Sequence, residues 1–134
     1  MIEKTKVYGT WRLAKGISKD ASGSLRPPPY GGNKAMALLV LREDGRMVSV
    51  LCDSRLSIPD TTEREYTSYC GTFSFDGNTL VTRVDACSDP SRFGTDQVRK
   101  VRMEGELLVL EPPPREKDGI LEHREMFWER VGDA

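Results

Sequence analysis

Residues Tyr69 to Met103 read YCGTFSFDGNTLVTRVDACSDPSRFGTDQVRKVRM, and three consecutive antiparallel strands fit this stretch. Asp76-Gly77 lies between two alternating runs, the strongest short-range signal for a hairpin, because a type I′ turn needs positive φ at both central residues. A two-residue turn there pairs Phe75 with Asn78, Phe73 with Leu80, Gly71 with Thr82 and Tyr69 with Val84. One face then carries Tyr69, Phe73, Phe75, Leu80, Val84 and Ala86, with Thr82 its single hydroxyl, and a face so apolar is expected to be buried. Arg83, Asp85 and Cys87 fall on the outer face; a turn one residue different would bring the two charges inside, at a larger cost. After a loop over Ser88 to Gly94, period two places Gln97 and Arg99 in line with Val101 and Met103. A buried guanidinium is costly without a partner, so Arg99 is expected to meet a ligand or an acceptor of the protein's own.

The same alternation extends in both directions. Val7, Gly9, Trp11 and Leu13 share one face of a strand over Lys4 to Lys15. Residues 16–34 are rich in Gly, Ser and Pro and read as a long loop, which is either a lid or a solvent-exposed excursion. Ala35 to Arg42 and Arg46 to Cys52 form a hairpin over Asp44-Gly45 that is apolar on both faces. Either Ala37, Leu39 and Leu41 or Met36, Leu38 and Val40 face inward, and the outer face is expected to be covered by a helix or a second subunit. Around residues 60–66, Asp60, Thr61 or Thr62 after Pro59 suits the N-cap of one short helix. Glu104-Gly105 makes a further tight turn, pairing Val101 with Leu108 and Arg99 with Leu110. Ile120 to Val131 closes the set, with Arg124, Met126, Trp128 and Arg130 on one face and His123 on the other. Eight strands joined mostly by hairpins predict an all-β, single-domain chain over 1–134, an up-and-down antiparallel β-barrel whose closure removes exposed edges.

With 134 residues the chain is long enough to bury about two-thirds of its unfolded surface. The net charge of −1, with both signs dispersed, speaks against nucleic acid or an anionic membrane as partner. No apolar run reaches membrane-spanning length and the start lacks a signal peptide's apolar stretch. Three cysteines without CxxC spacing read as free thiols of a cytoplasmic protein. The absence of HExxH, paired histidines, GxGxxG and a P-loop leaves no metal and no cofactor expected. The lone His123 is expected at the surface.

Gly9-Thr10-Trp11 near the start and Trp128-Glu129-Arg130 near the end resemble the lipocalin arrangement. More closely, Gly-Thr-Trp-Arg-Leu (9–13), Pro-Tyr-Gly (29–31), Asp-Gly-Arg-Met (44–47), Tyr-x-Gly-Thr-Phe (69–73) and Gly-x-x-Gln-Val-Arg (94–99) resemble the small bacterial and fungal lipocalin-like domain proteins. The resemblance implies a calycin-type barrel whose closed end is built from Gly9, Trp11 and Arg130, the arginine seated on the indole. It implies a ligand cavity and an association with small-molecule or secondary metabolism. At Thr82 the chain departs from the family, which often carries a histidine there.

The candidate ligand-binding residues are Tyr69, Phe73, Thr82, Val84, Gln97, Arg99, Val101 and Arg124. Arg99 and Gln97 are expected to anchor the polar end of an apolar or amphipathic small molecule. In the alternative, the same cavity serves a cofactor-independent cyclase or isomerase, with Arg99 stabilising oxyanion charge and Tyr69 relaying a proton. A third reading makes the chain a ligand-free structural protein, dimeric through the outer face of residues 35–52.

Overall fold

The computed structural model describes residues 1–132, and its strands close into an eight-stranded antiparallel barrel. In chain order the strands are β1 (Gly9–Lys19), β2 (Leu25–Arg26), β3 (Ala35–Leu41), β4 (Arg46–Asp53), β5 (Tyr66–Phe75), β6 (Thr79–Cys87), β7 (Asp96–Glu104), β8 (Leu107–Glu111), β9 (Arg115–Lys117) and β10 (Ile120–Gly132). The barrel runs β1-β3-β4-β5-β6-β7-β8-β10 and is sealed where β10 returns to β1, from Thr10↔Gly132 to Lys19↔His123. Beyond the barrel, β2 pairs with the end of β1 and β9 with the start of β10, so this double strand projects past the rim.

Inward residues follow the period of two. On β7 the half-buried positions are Gln97, Arg99, Val101 and Met103, and the intervening ones are exposed. On β3 the inward set is Ala37, Leu39 and Leu41. The other face of the second hairpin lies open in the single chain: Met36, Leu38, Val48 and Val50 are 38 to 44% exposed, and no helix covers them. Val7, Trp11, Leu39, Leu41, Met47 and Leu108 form the most deeply buried part of the core.

Register differs from the sequence expectation by two residues at two hairpins. Phe75 pairs with Leu80 and Phe73 with Thr82, while Val101 pairs with Leu110 and Met103 with Leu108. The Asp76 carboxylate accepts the backbone N–H groups of Asn78 (2.9 Å) and Thr79 (2.7 Å), which draws the reversal forward onto Gly77-Asn78. Positive φ is then needed at the first central residue alone, and Gly77 (+101°) and Gly105 (+61°) supply it. A slip of two leaves every side chain on its expected face.

A bulge does change facing. Gly71 pairs with Val84 but Cys70 with Ala86, so Asp85 is the extra residue. Ala86, expected to be buried, is exposed, and Cys87 comes opposite Tyr69 instead of joining Arg83. Gly71 is required there: a Cβ would sit 2.0 Å from the carbonyl oxygen of Arg83. A second bulge, at Ala14, turns Gly16 and Ser18 to the inner face of β1, which extends four residues further than expected, to Lys19. Residues Lys4–Lys6, expected as strand, form a 3-10 turn.

The short helix expected around 60–66 is absent. A single turn, closed by Thr62 N–H to Pro59 C=O at 2.9 Å, stands in its place. Arg64 donates to the carbonyls of Asp53 (2.6 Å) and Arg55 (2.7 Å), and Arg55 grips the buried Asp53 carboxylate at 2.6 Å. These contacts hold the segment extended, and so short a helix has little cooperativity with which to compete.

One barrel end is closed. Arg130 lies 4.3 Å over the Trp11 ring and donates to the carbonyls of Tyr8 (2.5 Å) and Lys6 (2.6 Å). The Trp11 indole N–H donates to Val7 C=O at 2.9 Å, so the plug is satisfied. Gly9 leaves room for it, since a Cβ there would come within 2.4 Å of Arg130 Nη1.

Candidate functional site

At the other end the barrel keeps a cavity of about 230 Å³. Its apolar wall comes from inward positions of several strands, Leu39 on β3, Met47 and Leu51 on β4, Leu80 on β6, Leu110 on β8 and Met126 on β10. Ser49, Thr67, Tyr69 and Thr82 add hydroxyls. Tyr30, from the Pro-Gly segment between β2 and β3, covers part of the mouth. Its hydroxyl donates to Thr67 Oγ1 at 3.0 Å and its backbone N–H to Glu65 Oε1 at 3.2 Å.

Four arginines reach this small space: Arg92 from the β6–β7 loop, Arg99 from β7, Arg115 from β9 and Arg124 from β10. No aspartate or glutamate lines it. Arg115 is paired with the buried Glu122 at 2.9 Å. Among the described residues the other three have no ion-pair partner. Arg99 donates to Gln97 Oε1 (3.1 Å) and to Val98 C=O (2.9 Å). Arg92 donates to the same Gln97 oxygen and lies 5.6 Å from the centre of the Tyr69 ring. Gln97 therefore stands behind the cavity and bridges two guanidiniums. Burial, reinforced by the nearby Arg92, lowers the pKa of Arg99, while Tyr69 and Tyr30 work the other way. Arg124 is lowered to about 10, by burial first and then by Arg115 and Arg99. It remains a cation at neutral pH. Two donors of wall residues, Arg124 Nε and Trp128 Nε1, are fully buried and have no acceptor among the described residues.

The model of the lipocalin-like domain family matches residues 59–131, just over half of the chain, from the segment before β5 through most of β10. The chain belongs to the lipocalin-like domain family. No curated protein and no solved structure gives a significant match. The matched region contains both the closed-end arginine, Arg130, and the cavity arginines of this lipocalin-like barrel.

The structure brings Tyr69, Thr82, Arg99 and Arg124 together on the cavity wall and places Gln97 immediately behind it. Phe73, Val84 and Val101, also expected there, do not line it. Phe73 belongs to the closed end, edge-on to Tyr8 with ring centres 6.3 Å apart, and Val101 packs on the core. Val84 lies under the β6–β7 loop, to which its backbone bonds at Thr95 and Gly94. His123 is exposed, opposite Lys19. Cys52, Cys70 and Cys87 are free, and no cluster of three metal-ligating side chains occurs among the described residues. No helix is long and apolar enough to cross a membrane.

Most of the lining was not assigned from the sequence. Trp128, Ser49 and the aliphatic wall of Leu39, Met47, Leu51, Leu80, Leu110 and Met126 stand on strands and were within reach of the pattern. Tyr30, Arg92 and Arg115 lie in loops or in a three-residue strand, where no period reports direction.

Proposed function

We propose that this lipocalin-like barrel is a small-molecule-binding protein whose cavity holds an amphipathic metabolite, its polar end turned to Arg99 and the Gln97 behind it. The observation that carries the reading is the cavity itself, with aliphatic walls on one side and convergent donors on the other, the composition typical of small-molecule sites. Binding is favoured over a cyclase or isomerase because the wall offers no carboxylate or imidazole as a general base; Tyr30 and Tyr69 are the titratable groups left beside the arginines.

Native mass spectrometry of the protein incubated with an extract of its producing cells tests this. The expected result is a noncovalent small-molecule adduct that disappears in Ser49→Leu, which fills the cavity from β4. A chain that stays bare, or an adduct indifferent to filling the cavity, contradicts the reading.

A further inference from the structure

We infer that the occupant is a compact organic acid, one ring bearing a carboxylate, which seats its anionic end between Arg99 and Arg124, beside Trp128. This rests on the binding reading and names the ligand's chemical class.

Hydrogen-bond valence leads to it. Gln97 Oε1 already accepts from both Arg92 and Arg99, which fills its two lone pairs. Glu122 is held by Arg115, with Arg26 at 3.9 Å on its other oxygen. Among the described residues Arg92, Arg99 and Arg124 have no carboxylate partner, and the fully buried Arg124 Nε and Trp128 indole N–H have no acceptor. Buried donors rarely go without acceptors in native proteins. A water molecule in the cavity would leave the guanidiniums uncompensated. A carboxylate supplies several lone pairs and a charge, and matches the guanidinium fork.

Size and wall chemistry narrow the class. A cavity of about 150 Å³ admits benzene, so about 230 Å³ fits one ring with a short acidic substituent, whereas a long acyl chain would have to run out through the mouth past Tyr30. Leu39, Met47, Leu51 and Met126 would gain nothing from inorganic phosphate or a sugar phosphate, so the body of the ligand is apolar.

The two tryptophans give a built-in readout. In ¹⁵N-labelled protein the indole N–H of Trp11, already bonded to Val7, should stay fixed, while that of Trp128 should move as benzoate is added. Benzamide and toluene should bind at least ten-fold more weakly. Arg99→Met should weaken benzoate by about ten- to a hundred-fold, as expected for lost bonds between charged groups. An unmoved Trp11 signal reports that the variant is folded. Benzamide or toluene binding as tightly as benzoate would overturn the acid assignment while leaving the binding reading intact. No binding by any of the three would overturn the assignment too, and the binding reading would then rest on the adduct experiment alone.

Discussion

Arg130 and Arg124 project from the same strand, six positions apart, and each shares its end of the barrel with a tryptophan. At the closed end, Arg130 covers Trp11 and spends its donors on two backbone carbonyls, and the indole has its own acceptor. At the open end, Arg124 Nε and the Trp128 N–H have no acceptor, and the nearest charges on the wall are more arginines. One end is finished by the chain; at the other, among the described residues, donors are left without acceptors. The difference teaches that an inward arginine is not by itself a stability device or a site: the acceptors around it decide which.

The largest effect belongs to the closed end. Trp11→Ala empties the centre of the plug and should cost about 3–5 kcal/mol in urea unfolding; a cost below 1 kcal/mol would mean the plug is not part of the core. Opposite in sign, Arg99→Met should stabilise the ligand-free protein by about 1 kcal/mol, because a desolvated cation is replaced by an apolar group of similar length. Gln97 keeps Arg92 as its partner, so no new unsatisfied group appears.

A smaller effect separates the two ends by pH. The Arg124 pKa is lowered on folding to about 10 by burial, Arg115 and Arg99, against Tyr30 and Glu122. Between about pH 10 and the ordinary arginine value the unfolded chain therefore binds more protons, and the contribution of Arg124 to stability rises with pH. The advantage of Arg124→Met over the parent should be full below about pH 10 and shrink above it. An advantage that grew with pH would reverse the assignment. The smallest effect concerns the mouth: Tyr30→Phe loses one part-buried hydroxyl bond to Thr67 and should cost about 0.5 kcal/mol, while speeding ligand exchange.

The strand pattern made the barrel and the direction of Arg99, Arg124 and Trp11 legible, because side-chain facing depends on period two alone. Hairpin register was not legible to the residue: Asp76 bonds forward to Asn78 and Thr79 and moves the turn by two positions. The bulge at Asp85 left a trace only in Gly71, whose need is visible once the Arg83 carbonyl is beside it. Residues 60–66 show the limit of capping signals, since the extended path there is fixed by Arg64 and its distant carbonyl partners. Of the cavity, the facing of strand residues could be read but not their depth along the barrel, so Phe73, Val84 and Val101 were expected there and do not line it. The loop residues could not be placed at all. Tyr30, Arg92 and Arg115 acquire direction only from tertiary contacts, so the count of arginines, and with it the charge of the site, emerged only in the folded chain.

The contrast between the two ends is tested most directly by urea unfolding of Arg130→Met and Arg124→Met side by side, without ligand. The expected outcome is opposite signs: Arg130→Met loses stability with the plug's hydrogen bonds, and Arg124→Met gains it. Equal destabilisation by both would show that Arg124 is satisfied within the protein, and that the open end is as complete as the closed one.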